Sequence, residues 1–355
     1  MGSLGFWNVR GLNSISKQNE IRWFMHQNNV GLFGLLETKI KRDKWINTRN
    51  NMCGDWAICT NNSFHKGGRV WLLWNPKLFQ VDLLHTTAQC IHTQVKDMMQ
   101  GFVFYFTLVY GFNKIGERES LWQDLRNYAT TANGPWLVGR DFNSVMRMGE
   151  RIGGTDVTLA EILPMRKALD DCQLQEGKMI GSYFTWNNKQ DDGTRVYSKI
   201  DRVLINDAWL QRFPDSVAQF LPEGLFDHCP CVIQFNRTSA RKKAPFKYFN
   251  MWALADNFDE VVQHGWQEDI DGSPMFRVTK KLKGLKHRLQ ELNREQFNDI
   301  ENLTHVTEIA LQNFQEQLRH DPLNNEMCKA ERACAQELMG LRKARDMLNS
   351  GGIQV

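Results

Sequence analysis

Polar side chains recur where short apolar runs end, between residues 1 and 236 of this 355-residue chain. They are Asn8, Glu37, Tyr110 with Asn113, Asp141 with Asn143, Asp201, and Asp227 with His228. One polar residue at the end of a strand is usually a turn former or a cap. Their repetition, with acid beside amide or imidazole, instead favours side chains that converge on one site.

A convergent set of this kind would offer oxygen ligands of the type that Mg²⁺ prefers, together with an imidazole that can carry a proton. Cleavage of a phosphodiester needs an activated water, neutralisation of the charge at phosphorus and help for the leaving oxygen. Carboxylates can hold the metal and deprotonate the water, and a protonated His can donate to a phosphate oxygen. A carboxylate behind that His would fix its tautomer and keep it charged. The residue types therefore fit metal-dependent hydrolysis of a phosphodiester.

Short strands alternating with helices are predicted to carry these side chains. Strand patterns cover GFWNV (5–9), VGLFGLLET (30–38), RVWLLWN (69–75), GFVFYFTLVYGF (101–112), WLVG (136–139), YFTWNN (183–188) and SKIDRVLI (198–205). Helical periodicity fits residues 15–28, 117–131 and 160–172, and loops are indicated at HKGGR and NKQDDGTR. The pattern is typical of an α/β or α+β domain.

The pattern changes from about residue 256. Apolar residues recur at helical spacing in two series, which are Leu282, Leu285, Leu289, Leu292, Ile300, Leu303, Ile309 and Phe314, then Met327, Ala330, Cys334, Leu338 and Leu341. HDPLNN (320–325) separates them, so two long antiparallel amphipathic helices are predicted. They could simply pack against the protein or bind a helical partner. The basic segment RTSARKKAPFK (237–247) before them reads as part of a linker.

Composition sets broad limits. A net charge of +4 permits a polyanionic partner without requiring one. The eight Cys residues form no CxxC pair, which argues against a zinc site and favours reduced thiols. No signal peptide and no apolar stretch long enough to cross a membrane is visible. We therefore expect a soluble intracellular protein.

The motifs NVRGLN, LLETK, LVYGFN, DFNSV, GSYFTWNN, SKIDRVLIN and DHCP stand in this order in the chain. As a set they resemble the endonuclease/exonuclease/phosphatase superfamily, and more narrowly the endonuclease domain of plant LINE-type non-LTR retrotransposons. The resemblance implies a four-layer α/β/β/α sandwich (the DNase I-like fold) over residues 1–236. A linker (237–255) and a helical extension (256–355) would follow. It also implies a DNA endonuclease that uses Mg²⁺, with Mn²⁺ as a substitute, and leaves a 3′-hydroxyl and a 5′-phosphate.

The resemblance also implies roles for single residues. Glu37, Asn8 and Asp227 would lie at the metal, one ion or two. Asp141 would activate the water and Asn143 would orient it. Tyr110 would contact the phosphate or the leaving group, and His228, oriented by Asp201, would bind the scissile phosphate.

Five further residues are candidates for DNA contact. Arg10, Lys39, Arg195 and Lys199 could each meet the phosphate backbone, or could form ordinary surface ion pairs. Trp186 would lie near the minor groove if the FTWNN segment faces DNA, but it could equally belong to the core.

Two positions depart from the family pattern. Arg140 stands where a Gly usually precedes the Asp of DFN, and Phe226 stands where a Ser usually precedes the Asp-His pair. Strand alternation predicts that the Arg140 side chain points away from Asp141. If it reached that carboxylate instead, it would keep Asp141 ionised but compete with the metal.

Three functions are compatible with these observations. The first is an active nuclease of retroelement origin, with a nuclear location. The second is a decayed copy that keeps the fold as a module binding nucleic acid or protein. The third, a phosphatase or phospholipase of the same superfamily, is disfavoured by the SKIDRVLIN and TWNN contexts. Since no F/Y-x-D-D motif of a reverse transcriptase is present, we expect a truncated copy or a fragment.

Overall fold

The computed structural model describes residues 2–41, 43–64, 69–190, 193–235, 257–267, 270–292 and 298–350. They form two compact units. The first unit is Met1–Ser239 with Phe314–Glu331, and the second is Ala240–Asn313 with Arg332–Val355. The predicted linker lies wholly outside the described residues, and the predicted limits of the domains stay a prediction.

The first unit contains the strands and most of the shorter helices. The strands are β1 (Ser3–Asn8), β2 (Val30–Leu36), β3 (Ala57–Thr60), β4 (Val70–Trp74), β5 (Phe79–Thr86), β6 (Cys90–Asp97), β7 (Val103–Tyr110), β8 (Trp136–Asp141), β9 (Arg151–Ile152), β10 (Gln175–Glu176), β11 (Met179–Gly181), β12 (Trp186–Asn187), β13 (Tyr197–Ser198), β14 (Asp201–Ile205), β15 (Val217–Phe220) and β16 (Cys231–Gln234). The helices of the chain are α1 (Ile15–Gln27), α2 (Trp45–Cys53), α3 (Glu119–Ala129), α4 (Leu159–Cys172), α5 (Asp207–Arg212), α6 (Phe258–Trp266), α7 (Pro274–Leu292), α8 (Asn298–His320) and α9 (Asn325–Ser350).

These strands form two large sheets and one small one. The seven-stranded sheet has the order β11-β15-β16-β1-β2-β4-β3, and the six-stranded sheet has the order β10-β14-β8-β7-β6-β5. β1 runs parallel to β2, and β7 runs parallel to β8. The small sheet has the order β12-β13-β9. Most other pairings are antiparallel, so each large sheet is mixed.

The main core lies between the two large sheets. Phe6 of β1 stacks on Phe106 of β7 with ring centroids 5.5 Å apart. Gly34 of β2 allows close approach, because a Cβ there would lie 2.6 Å from a methyl carbon of Leu108. Alternating side chains of each strand therefore fill the space between the sheets, as expected for strands buried on both faces.

Helices cover the two outer faces. Ile21 and Phe24 of α1 pack on the outer face of the seven-stranded sheet with Trp7 and Phe33. On the six-stranded sheet, α3 and α4 supply a second cluster of buried residues, which includes Leu121, Trp122, Leu125, Met165 and Leu169. The layers are therefore helix, sheet, sheet and helix, which confirms the predicted α/β fold class.

The predicted elements agree with the structure where the apolar runs are long. The predicted helices correspond to α1, α3 and α4, and Thr158 and Glu161 form a capping box at the start of α4. Of the strand predicted over 183–188, only Trp186–Asn187 is a strand. Strand β5 was not predicted because most of its residues are exposed, so it carries no core pattern.

The later helices end where the sequence pattern breaks. Helices α8 and α9 are separated by residues 321–324, inside the predicted HDPLNN turn. Within the second unit, the Cys334 thiol lies 3.5 Å from the carbonyl oxygen of Thr307. The first predicted helix corresponds to α7 and α8, and residues 293–297 between them lie outside the described part. None of the helices described is both long and apolar enough to span a bilayer.

Candidate active site

The topology brings the predicted polar side chains to one edge of the sandwich. Asn8 ends β1 and Glu37 follows β2, and because these strands are parallel their carboxyl ends meet. In the other sheet, Tyr110 and Asp141 are paired at the ends of the parallel strands β7 and β8. The antiparallel strand β14 begins at Asp201, opposite Asp141. The ends of two sheets thus form a single polar site.

Asn8 links two carboxylates at this edge. Its side-chain nitrogen donates to Glu37 Oε1 at 3.0 Å and to Asp141 Oδ2 at 2.9 Å. Its side-chain oxygen accepts the backbone N–H of Arg10 at 3.1 Å. The amide therefore presents its nitrogen to the carboxylates, and direct metal ligation by Asn8 would require the amide to turn over.

The backbone bends sharply at the site. Glu37, Arg140 and Asn143 have positive φ angles of 49°, 122° and 48°. Asn tolerates the left-handed region, whereas Glu and Arg rarely adopt such angles, and 122° is a conformation typical of Gly. Strain of this kind is often found at functional sites.

His228 is held by an acid behind it. Its Nδ1 lies 2.9 Å from Asp201 Oδ2, and its Nε2 lies 3.8 Å from Asp141 Oδ2. Burial works to lower the pKa of His228, but the charge and hydrogen bond of Asp201 and the charge of Asp141 raise it overall. The imidazole is thus placed to stay protonated, with Nε2 turned toward the Asp141 carboxylate.

Asp141 and Asp201 have pKa values shifted in opposite directions, because their charged neighbours differ. Both are almost inaccessible to solvent. Burial raises the pKa of Asp141, and the nearby charge of Asp201 adds to this. Burial also acts to raise the pKa of Asp201, but Arg140 and His228 outweigh it, so that pKa is lowered. Asp201 is therefore the ionised partner, and Asp141 is the carboxyl group that can take up a proton.

Asn143 and Tyr110 lie beside the carboxylates of the site. The Asn143 backbone N–H donates to Asp141 Oδ1 at 3.0 Å, and its side chain donates to the carbonyl oxygen of Gly111 at 2.7 Å. Burial, followed by the charges of Glu37 and Asp141, raises the pKa of Tyr110. The Tyr110 hydroxyl therefore stays protonated and can donate a hydrogen bond.

Arg140 does not approach the carboxylate beside it in sequence. Its Nε lies 3.3 Å from Asp201 Oδ1, and its Nη1 donates to the carbonyl oxygen of Cys229 at 2.9 Å. The side chain is fully buried. Among the described residues no ion pair joins Arg140 to Asp141, although its charge acts to lower the pKa of that carboxyl group. The guanidinium instead shares Asp201 with His228.

Phe226 is accommodated by neighbouring aromatic and basic side chains. Its ring centroid lies 4.3 Å from that of Trp7, and the Lys17 Nζ lies 4.9 Å from the ring centre. Asp227, next in sequence, pairs with Arg10 at 2.7 Å. Asp227 thus faces a cation, and its predicted place at the metal remains a prediction.

The predicted DNA contacts fall into two groups. Arg10 and Lys39 are largely exposed, although each pairs with an acid of the site, Lys39 with Glu37 at 3.3 Å. Arg195 and Lys199 are buried, and Lys199 Nζ bonds Glu176 at 2.8 Å. Trp186 is half-buried, with its ring 6.4 Å from His228. Both cationic groups are buried and bonded to acidic side chains. In this arrangement neither Arg195 nor Lys199 therefore presents an exposed donor to a phosphate.

Two supporting residues were not predicted. The Trp7 indole donates to the His228 carbonyl oxygen at 3.1 Å, and the Thr185 hydroxyl accepts the Asp201 backbone N–H at 3.0 Å. Both bonds join a side chain to backbone far away in sequence. No local pattern could reveal them.

The residues at the edge can hold a divalent cation. Carboxylate oxygens of Glu37 and Asp141 and a ring nitrogen of His228 lie within 4.8 Å of one another. The two carboxylates would gain from a divalent cation between them. Their oxygen donors suit Mg²⁺ and Mn²⁺. A protonated imidazole has no lone pair to offer a metal, so His228 would not be a ligand.

Comparison with known proteins shows the fold. No family model and no curated protein matches the chain. The solved endonuclease domain of TRAS1, a telomere-specific non-LTR retrotransposon, matches with a TM-score of 0.51 and 11% identity, over 67% of this chain and 100% of that domain. Two others match less well. A Bacteroides thetaiotaomicron protein of the endonuclease/exonuclease/phosphatase family has a TM-score of 0.44 and 12% identity, over 65% of this chain and 96% of its own. The D. rerio TDP2 complex with a single-strand DNA product has a TM-score of 0.46 and 12% identity, over 66% and 98%.

Proposed function

We propose that this protein is a metal-dependent DNA endonuclease of retrotransposon origin. The observation that carries the proposal is the meeting of Glu37, Asp141 and the His228–Asp201 pair at one edge of a DNase I-like sandwich. The TRAS1 endonuclease domain, which shares the fold, supports the choice of substrate. The catalytic domain would cover residues 1–236, with the linker over 237–255 and the helical extension over 256–355. A nuclear location follows if the substrate is chromosomal DNA.

Each residue of the site has a role in the proposed hydrolysis. Glu37 and Asp141 would hold Mg²⁺, which supplies positive charge to the phosphate when it is bound. Burial raises the pKa of Asp141 and so makes its ionised carboxylate a stronger base than usual, and this carboxylate would accept the proton of the attacking water, with Asn143 to orient that water.

The other side of the phosphate would meet hydrogen-bond donors. His228, kept charged by Asp201, would donate from Nε2 to a non-bridging oxygen. The protonated Tyr110 hydroxyl would donate to the phosphate or to the leaving oxygen. The products would be a 3′-hydroxyl and a 5′-phosphate.

Nicking of supercoiled plasmid tests this function. We expect nicking with Mg²⁺ or Mn²⁺, none with EDTA, and losses of about a hundredfold or more in Glu37→Gln and His228→Ala, because each change removes a group that acts on the phosphate. Asp215→Asn, at an exposed residue outside the site, is the matched control and should keep full activity. Nicks with the proposed ends can be sealed by a DNA ligase without prior treatment. Equal traces of nicking in the wild type and in both site variants would overturn the proposal.

A decayed copy that only binds nucleic acid is the second candidate. The observation that favours it is the sharing of Asp201 between Arg140 and His228, which takes part of that carboxylate away from the imidazole. Fluorescence anisotropy with a labelled duplex distinguishes the two. Binding without nicking, at any concentration of Mg²⁺ or Mn²⁺, would support the binding module.

A further inference from the structure

The end of the α8–α9 pair belongs to the first compact unit. We call Phe314–Glu331 the hairpin tip, since it takes in the last residues of α8 and the first of α9. Glu331 lies in it with 1% of its surface exposed. Glu331 Oε2 accepts both terminal nitrogens of Arg195 at 2.9 Å, and Oε1 accepts Lys189 Nζ at 2.6 Å. One carboxylate thus serves two basic side chains.

Further bonds hold the hairpin tip on the same surface. The Gln315 amide donates to the carbonyl oxygen of Gly224 at 2.8 Å and to Glu331 Oε1 at 3.1 Å. Arg319 donates to the Ser182 hydroxyl at 2.8 Å. The tip therefore contacts both the segment before the small sheet and the turn that precedes His228 in the chain.

A chain of hydrogen bonds leads from Glu331 to the segment that carries His228. Lys189 Nζ lies 3.2 Å from Glu223 Oε1, and the Asn187 side chain donates to the same oxygen at 2.8 Å. The Asn187 backbone N–H then donates to the carbonyl oxygen of Asp227 at 3.0 Å. Beside it, Trp186 forms an antiparallel bridge with His228.

Loss of the Glu331 carboxylate would remove the acid that binds both terminal nitrogens of Arg195, and would leave Lys189 paired with Glu223. Arg195 is 2% exposed, and the Lys189 side chain is 26% exposed. Removal of one partner of a buried ion pair is strongly destabilising, because the other charge is then poorly compensated away from water. The basic residues would therefore have to move toward solvent, and the strands that carry them would move too.

We propose that Glu331 is a positioning residue of the nuclease reaction, which holds Lys189 and Arg195 so that the small sheet keeps His228 in place. The inference rests on the proposed function. The functional unit then includes the hairpin tip in addition to residues 1–236.

The test uses the full chain with Glu331→Gln, which keeps the size of the side chain and removes its charge. Hydrogen exchange should rise about tenfold for the backbone amides of residues 186–189 and 227–229. In plasmid nicking, kcat should fall about tenfold while KM for DNA stays within about twofold, since the His228 geometry changes and the exposed DNA-facing groups do not. Glu326→Gln is the matched control, because Glu326 lies on the same helix, is exposed and pairs with Lys329.

Each other result has a defined meaning. Unchanged exchange, or faster exchange with unchanged kcat, overturns the proposal. A lower KM with unchanged exchange also overturns it, because it would show that Glu331 masks Arg195 from DNA. If the wild type does not nick, the proposed function fails by itself, and exchange still decides whether Glu331 holds the His228 segment.

A second variant covers the case in which Glu331→Gln does not fold. Lys189→Met breaks the link between Glu331 and Glu223 but leaves the Arg195 pair intact. We expect the same changes in exchange and kcat, at about a third of the size. A folded Lys189→Met protein with wild-type exchange and wild-type kcat would overturn the proposal.

Discussion

Arg140 combines a backbone angle suited to Gly with a buried charge. Its φ of 122° lies where side chains crowd the backbone, and its buried Nε and Nη2 make no hydrogen bond to any residue that the structure describes. Its charge also draws on Asp201, the acid that orients His228. We therefore expect substitution of Arg140 to raise the rate of the proposed reaction.

We expect Arg140→Gly to raise the rate of plasmid nicking roughly three- to tenfold, because Asp201 would then serve His228 alone. The relief of about 1–3 kcal/mol of backbone strain should offset much of the lost packing, so the Tm should change by only a few degrees. Arg140→Ala is the control, since it removes the guanidinium but keeps the strain. It should match the Gly variant in rate and fall below it in Tm. Unchanged or lower nicking by Arg140→Gly would show that Arg140 is compatible with catalysis.

The acid behind His228 sets a pH dependence. With Asp201 ionised, the pKa of His228 is raised, so the protonated imidazole persists to higher pH and is lost as pH rises through that value. Asp201→Asn should lower nicking about a hundredfold and move the alkaline limb of the rate profile to lower pH. The measurement is the initial nicking rate across pH at saturating Mg²⁺.

A control is needed because the same change deprives Arg140 of its carboxylate. The substitution is therefore repeated in the Arg140→Gly background, where that buried cation is absent. An alkaline limb that stays at the same pH in both backgrounds would show that Asp201 does not control the charge of His228.

At the scale of residues, the sequence predicted which side chains lie in the site, but not every ion pair and hydrogen bond that they form. Glu37, Asp141 and His228 could be placed because the motifs that contain them stand in the order of the family that the sequence resembles. The direction of Arg140 could be predicted only in part, because side-chain alternation assumes an extended backbone and residue 140 does not have one. Its contact with Asp201 therefore needed coordinates.

At the scale of elements, a buried imidazole joins β6 to α3. The His92 ring stacks on Tyr128 with centroids 4.2 Å apart, and its Nδ1 lies 2.8 Å from the Thr107 hydroxyl. Its Nε2 is buried and makes no hydrogen bond to the described residues. Burial, with a small effect of His85, lowers the pKa of His92 to about 4.

This shift makes the packing of β6 and α3 sensitive to acid. Between pH 6.5 and about 4 the unfolded chain binds a proton at His92 that the folded protein does not, so the free energy of unfolding decreases as pH falls. Urea unfolding should show a loss of about 2 kcal/mol from this residue between pH 7 and pH 5. His92→Phe should remove that part of the dependence, and His26→Phe, at an exposed site on α1, should not. Equal dependence in the wild type and His92→Phe would contradict the assignment.

Elements were predictable where burial on both faces produces a long apolar run. The run at 101–112 predicted β7, and the two series of periodic apolar residues predicted α7 and α8 as one helix, then α9 after the break. Strand β5 at the edge of its sheet and the two-residue strands of the small sheet carry no such run. Their pairing depends on neighbours supplied by other parts of the chain, which local propensity does not contain.

At the scale of the whole molecule, the division of the helices between two compact units was not predictable. An acid on an amphipathic helix is normally a solvated residue, so nothing around Glu331 indicates a buried ion pair. The other side gave no signal either, because Asp191 and Asp192 stand between Lys189 and Arg195 in the sequence and would be their expected partners. The pairing of Glu331 with Lys189 and Arg195, which are far apart in sequence, can be recognised only in the folded chain.

The ribosome must add many residues before the first unit can form all of its contacts, because that unit includes Phe314–Glu331. Arg195 and Lys189 precede Glu331 by 136 and 142 residues. At ribosomal rates of about 5–20 residues per second, that gap lasts roughly 7 to 30 seconds. During this interval Arg195 lacks the Glu331 carboxylate, and Lys189 has Glu223 but not Glu331 beside it. Slower translation between residues 195 and 331 would lengthen that interval without altering a single amino acid.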